Sequence, residues 1–245
     1  MSVSLKIVSL NIERSKHFDL VLPFLGREHS EVVCIQELIE HDIPLFEKAL
    51  QAQCIFAPMT RYPEGNPRSV MGVGIFSHLS KTHSAIHYYR GGSSSLQDFD
   101  MTNAKTKSET AHHLVLFCDF KKEDSVFRIG TTHFPWTPDG QADDIQRGDM
   151  EKVLAFLDSS GEFVLAGDFN APRGGEIFGM LAQKYTDNVP PHYTTSIDGS
   201  LHRGGAIPFM VDGIFSTPRY SVSKVELVSG VSDHCAIVAH ISKKG

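Results

Sequence analysis

Apolar residues recur along the chain in short runs separated by polar, glycine-rich or proline-rich breaks. The runs LKIVSL, EVVCIQE, GVGIFS, HHLVLFCDF, VFRIGTTHF, EFVLAGDF, FMVDGIFS, VSKVELV and CAIVAHI are brief and rich in Val, Ile and Phe, which predicts buried strands. FDLVLPFLGRE, DIPLFEKALQA, DDIQRGDMEKVLAFLDSS and GEIFGMLAQK instead space their apolar residues three to four apart, as amphipathic helices do. Asp139 or Asp143 is placed to cap the third of them. Strand and helix alternate at first, strands follow one another in the middle, and strands come last. That order predicts mixed sheets with helices outside, not a purely parallel wheel. No linker interrupts it, so one domain is expected over residues 1–245. Residues 90–110 and 190–208 are polar and lack periodicity, and both are expected to be long loops of functional or mobile character. No repeat at a solenoid period is visible.

The 245 residues, 41% hydrophobic and 21% charged, suffice for one sizeable core. No apolar run is long enough to span a bilayer, and MSVSLKIVSLNIE lacks the pattern of a cleaved leader. A soluble cytoplasmic protein that keeps its N-terminus, without a membrane partner, is the expectation. Cys34, Cys54, Cys118 and Cys235 are scattered singly, three within apolar runs, and read as reduced thiols. The net charge of −6 opposes a protein that coats DNA non-specifically, because such binding needs surplus Lys and Arg. A local basic groove stays compatible with it.

The candidate chemistry sits at strand ends. Residues two apart share a strand face, so Asp168 and Asn170 project together where FVLAGDF leaves the core, provided the strand persists to Asn170, as do Asn11 and Glu13 after LKIVSL. Glu37 ends a further run and His133 another. Asp212 lies inside an apolar segment, and Asp233 and His234 precede the last strand. Each alone has an ordinary turn or core explanation. A lone buried Asp212 would cost roughly several kcal/mol, so it needs a partner such as His234. Convergent carboxylates, amides and imidazoles make a hard-oxygen metal site with hydrogen-bond donors nearby. His78, His83 and His87 are split between faces by strand parity and are assigned no metal.

These residues resemble the endonuclease/exonuclease/phosphatase superfamily, since SLNIE, CIQEL, TTHF, AGDFNAP, FMVDGIFS and VSDHCAI appear in its order from Asn11 to His234. The resemblance implies an α/β fold, a four-layered sandwich with two mixed β-sheets face to face, helices outside and the active site at one end. It implies phosphoester hydrolysis with Mg²⁺ or Mn²⁺. By motif position Glu37 resembles the principal metal ligand, with Asn11 beside it, Glu13 reaching the metal directly or through water, and Asp233 near it. Asp168 resembles the group that orients or deprotonates the attacking water, and Asn170 the amide that positions water or phosphate. His234 resembles the imidazole on the scissile phosphate, steadied by Asp212, and His133 the residue that stabilises the phosphorane or helps the leaving oxygen.

Within the family, FMVDGIF lacks the tryptophan-cysteine-aspartate-arginine motif of inositol polyphosphate 5-phosphatases, and Gly213 stands where apurinic endonucleases carry tyrosine. HYTTSIDG followed by VDGIFSTP is similar to tyrosyl-DNA phosphodiesterases and bacterial members, with YTT in place of Tyr-Thr-Trp. SVMGVGIF has no carboxylate to back His133, which leaves that ring less polarised than in some nucleases. Arg173 and Arg203, with Arg61 and Arg68 around a Pro/Gly loop, are candidate phosphate clamps, and Trp136 a candidate to stack on a base or sugar. Solvated arginines and a tryptophan packed back on the core are the competing readings. The expected function is a metal-dependent phosphodiesterase or nuclease acting as a monomer on DNA, RNA or a nucleotide-linked phosphodiester. The alternative is a phosphatase or phosphodiesterase on a small-molecule or lipid phosphate, and the lesser alternative a non-catalytic binding module.

Overall fold

The computed structural model describes residues 3–62 and 69–244. The chain lays down β1 (Ser4–Asn11), α1 (Phe18–Glu28), β2 (Val32–Ile39), α2 (Ile43–Leu50), β3 (Gln53–Tyr62) and β4 (Ser69–Ser77). A second series follows: β5 (Ser80–Arg90), α3 (Ala104–Thr110), β6 (His113–Lys122), β7 (Ser125–His133), α4 (Asp144–Asp158), β8 (Val164–Asp168), α5 (Glu176–Ala182), β9 (Thr186–Asp187) and β10 (Asp212–Ser216). The last two elements are β11 (Tyr220–Val228) and β12 (Ala236–Lys243).

Two six-stranded sheets result, ordered β11-β12-β1-β2-β4-β3 and β5-β6-β7-β8-β10-β9. In each, the central pair is parallel, β1 with β2 and β7 with β8. A single helix joins each pair, α1 or α4. The remaining pairs are antiparallel in both sheets. The two sheets therefore share one winding.

Period-two alternation builds the layers. Leu5, Ile7, Val32 and Cys34 from the first sheet meet Leu116, Ile129, Val164 and Ile214 from the second in a shared core. Val8, Leu10 and Val33, on the opposite face of the first sheet, pack on Val21, Phe24 and Phe46 of α1 and α2. Val115, Phe117 and Leu165 likewise cover Met150, Val153 and Phe178 of α4 and α5. Each such side chain contributes roughly 1.5–3 kcal/mol when fully buried. The architecture is the four-layered α/β sandwich expected from the sequence.

Asp143 caps α4, its Oδ1 accepting the Gln146 N–H at 2.7 Å, while Asp139 lies in a separate 3-10 turn. Residues 90–110 depart from the expected loop. They form a 3-10 turn at Ser93–Ser95 and the helix α3, closed by a capping box between Asn103 and Thr106. This strap is pinned to β3 by the Arg61 N–H on Gln97 O and the Phe99 N–H on Arg61 O, both 2.8 Å. Seven helical residues are too few for a periodic apolar signal. The four cysteines are free thiols. His87 stacks on Phe156 of α4 with ring centroids 4.0 Å apart, a packing role. Arg68 lies outside the described residues. No helix among the described residues is long and apolar enough to cross a membrane.

Candidate active site

Parallel pairing brings the C-terminal ends of β1, β2, β7 and β8 to one edge of the sandwich, and the antiparallel β10 and β12 begin there. The register is direct: Asn11 pairs with Gln36, His133 with Asp168, and Asp212 with Asp168 from the other side. Asn11, His133, Asp168 and Asp212 continue the inward-facing series of Ile7, Ile129, Val164 and Ile214. They fill the open end of the gap between the sheets. One step deeper, the buried Gln36 amide donates to Thr131 Oγ1 at 2.8 Å and Ser9 Oγ at 3.3 Å, tying the two sheets beneath the site.

Gly167 permits this closeness, because a Cβ there would stand 2.2 Å from Thr132 O. Three candidate residues have left-handed backbones: Glu13 at φ 46°, Glu37 at 55° and Asn170 at 48°. β1 ends at Asn11 and β8 at Asp168, so Glu13 and Asn170 do not continue the strand faces expected from their spacing and come to the site through turns. Such conformations cost non-glycine residues energy and gather at functional sites. At Glu37 the cause is a bulge, where the β2–β4 register slips between Ile35 and Leu38. The extra residue turns Glu37 toward the same mouth as Asn11, whose Nδ2 lies 3.5 Å from Glu37 Oε1.

Asp168 is 1% exposed and central. Its Oδ1 accepts the Asn170 N–H at 2.7 Å, and its Oδ2 accepts Asn11 Nδ2 at 3.1 Å. The same Oδ2 faces Nε2 of His133 at 3.6 Å and Nε2 of His234 at 3.8 Å. These two separations exceed a direct hydrogen bond and leave both imidazoles aimed at one small space. Asn170 Nδ2 donates to Phe134 O at 2.9 Å, which fixes its amide beside Asp168. His133 Nδ1 is buried without a partner.

Behind His234, Nδ1 meets Asp212 Oδ2 at 2.8 Å, and Ser196 Oγ accepts the Asp212 backbone N–H at 3.1 Å. Burial opposes charge on both members of this pair, but the carboxylates of Asp212 and Asp168 on either side of the ring outweigh it and raise the His234 pKa. The two carboxylates thus favour the protonated form of the imidazole.

A second lobe is acidic. Asp233 is 8% exposed, and burial together with Glu13 and Glu37, against the opposing pull of His234, pushes its carboxyl up to about 6. Donor atoms of Glu13, His17 and Asp233 lie within 4.8 Å of one another. Arg14 Nη1 bonds Glu37 Oε2 at 3.0 Å, and Lys16 pairs with Glu13. Carboxylates crowded until one resists ionisation fit a bound divalent cation, which would remove the repulsion.

The remaining candidates separate. The Arg173 guanidinium turns inward, ion-paired with Asp187 and donating from Nη2 to Asp187 Oδ1 at 3.2 Å and to the Val189 carbonyl at 2.9 Å, so these donors brace the 187–193 turn. Arg61 likewise binds Leu96 O at 2.6 Å within the strap. Arg203 is exposed on the 199–205 loop. Trp136 is 45% exposed with Lys107 Nζ 4.6 Å from its ring centroid. Sequence reasoning missed His17, Arg14, Gln36, Ser196 and His202. His202 sits on a loop tied to the site by the Asp198 N–H on Asp233 O at 2.9 Å. Burial and the charges of His234 and Arg203 lower its pKa against the pull of Glu13. Only the sequence nearness of Arg14 and His17 to Glu13 marked any of these beforehand.

The model of the Endonuclease/Exonuclease/phosphatase family matches residues 8–234. Among solved structures, an endonuclease/exonuclease/phosphatase from Bacteroides vulgatus superposes with a TM-score of 0.74 at 15% identity, covering 99% of this chain and 100% of that one. A mannosyl-6-phosphatase from Bacteroides thetaiotaomicron gives 0.71 at 11% identity, over 97% and 99% of the two chains. The human Nocturnin catalytic domain with bound sulfate gives 0.71 at 17%, over 98% and 94%. At these identities the likeness is one of fold. No curated protein matches the sequence significantly.

Proposed function

Since the chain belongs to the endonuclease/exonuclease/phosphatase family of metal-dependent phosphoester hydrolases, we propose that it is a divalent-metal-dependent phosphodiesterase acting on nucleic acid or a nucleotide-linked diester. The observation that carries the hydrolytic reading is Asp168 Oδ2 facing His133 Nε2 at 3.6 Å and His234 Nε2 at 3.8 Å beside an acidic lobe. In this reading Asp168 takes a proton from water in that space, and Asn11, already on Oδ2, keeps the carboxylate turned toward it. His234, protonated through Asp212, donates from Nε2 to a phosphate oxygen, and His133 Nε2 stabilises the growing charge on another or follows the leaving oxygen. Asn170 holds the Asp168 carboxylate from behind through its backbone N–H. Glu37, Glu13, Asn11 and Asp233 would hold Mg²⁺ or Mn²⁺, which supplies charge withdrawal from the phosphate.

The diester reading rests on Trp136, exposed three residues after His133 with Lys107 over its ring, an arrangement suited to a base and its flanking phosphate. The net charge of −6 favours the second reading, a phosphatase or phosphodiesterase for a small or lipid phosphate. Assays with Mg²⁺ or Mn²⁺ on bis-(p-nitrophenyl) phosphate, p-nitrophenyl phosphate and labelled oligonucleotides separate them. Turnover of the first and third supports the proposal, turnover of p-nitrophenyl phosphate alone supports the second reading, and none on any substrate refutes the hydrolase.

A further inference from the structure

His17 occupies the residue before α1 and does not do what that position rewards. Asn, Asp, Ser or Thr there would accept a backbone N–H of the first turn, but His17 makes no side-chain cap. The left-handed residues Glu13 and Arg14, at φ 46° and 62°, fold the chain back so that the His17 ring reaches the site instead. Its Nε2 lies 2.9 Å from Glu13 Oε2, with 15% of its side-chain surface exposed. Lys16 engages the other oxygen, Oε1, of the same carboxylate. Glu13 and His17 share their space with Asp233, one donor atom from each of the three lying within 4.8 Å of the others. Donors to one ion at about 2.1 Å from it lie within about 4.2 Å of each other, so a shared ion needs only small side-chain adjustments.

We infer that His17 is a protein ligand of the catalytic divalent ion, together with Glu13 and Asp233. The inference rests on the metal-dependent reading and deepens it by naming the ion. An imidazole nitrogen contributes little to Mg²⁺, which prefers oxygen and water. It suits a first-row transition metal better, so the site selects Mn²⁺ over Mg²⁺. A ligand on the loop between β1 and α1 also explains why this loop keeps two strained residues and a poorly capped helix.

The test needs no turnover. The protein is stripped with chelator, loaded with Mn²⁺ and examined by pulsed EPR for the ¹⁴N modulation of a bound imidazole. Parent protein is expected to show it. His17→Asn, which offers α1 a better cap and keeps the fold by circular dichroism, is expected to lose it. In the same variant the Mn²⁺ Kd rises on the order of ten-fold or more, as ligand-shell losses typically do, and the preference for Mn²⁺ over Mg²⁺ shrinks. Mn²⁺ bound to the parent without ¹⁴N modulation overturns the inference, as does modulation that survives His17→Asn and disappears only in His234→Gln. Failure of the parent to bind Mn²⁺ or Mg²⁺ at all defeats the metal-dependent reading itself.

Discussion

Asp212 and His234 face each other at 2.8 Å in a site where neither could carry charge alone. Replacing Asp212 by Asn keeps the shape and removes the charge that raises the His234 pKa. We expect kcat to fall about 10²–10⁴-fold with the fold intact. The alkaline limb, where activity is lost as His234 gives up its proton, should move to lower pH. Imidazole NMR beside the pH–rate profile checks this, and an unshifted His234 would remove the pair from the mechanism. His113 makes a different statement. Burial pushes it down to about 3 from an ordinary 6.5, while its Nδ1 donates to His133 O at 2.7 Å. The unfolded chain therefore takes up a proton that the folded chain refuses, and stability, complete above pH 6.5, declines as pH falls toward 3. Across that window each pH unit costs about 1.4 kcal/mol. His113→Gln should flatten the decline in urea melts at pH 7 and pH 5, and equal slopes in parent and variant would refute the assignment.

At the scale of elements the bulge in β2 decides how Glu37 is used. A non-glycine residue in the left-handed region carries strain of roughly 1–2 kcal/mol. Glu37→Gly is expected to be about 1 kcal/mol more stable than Glu37→Ala in chemical denaturation, with both losing divalent-ion affinity alike in titration calorimetry. Equal stabilities would show the backbone unstrained. The same bulge marks the boundary of what the sequence made legible. Position at the ends of apolar runs marked Asn11, His133 and Asp168, and a carboxylate inside such a run marked Asp212; in the structure all four continue the inward face of their strands, because the period of two survives to the strand ends. The identical rule turns Glu37 away once Gln36 points inward; its place at the end of a run marked it as a candidate, and the family resemblance gave it the metal role. His17 and His202 lie on loops, where no period relates neighbours in sequence to neighbours in space. Arg173 looked free in sequence because the carbonyls of 187–193 that enclose it are set by chain reversal, not by local pattern. The helix α3 left one readable mark, its Asn103–Thr106 capping box.

The whole molecule is two sheets of the same winding, but chain order hides it: β5 to β10 are continuous, whereas the first sheet is divided between the two ends of the sequence. Ser4 pairs with Ser242 across β1 and β12, so a short glycine linker can join residue 244 to residue 3. New termini can be opened between the exposed Pro218 and Arg219, in the turn before β11. The circular permutant then reads as one complete sheet followed by the other, and cutting it between His78 and Leu79 yields two polypeptides, each holding a whole sheet and its helices. Asn11, Glu13, Glu37, Asp233 and His234 travel with one fragment, and His133, Asp168 and Asp212 with the other. Each fragment should be inactive alone and mixing should restore hydrolysis with a dependence on the concentration of both. Activity in either fragment by itself would mean that chemistry resides within one sheet, whereas restoration on mixing would make the enzyme a heterodimer that its natural chain order happens to sew together.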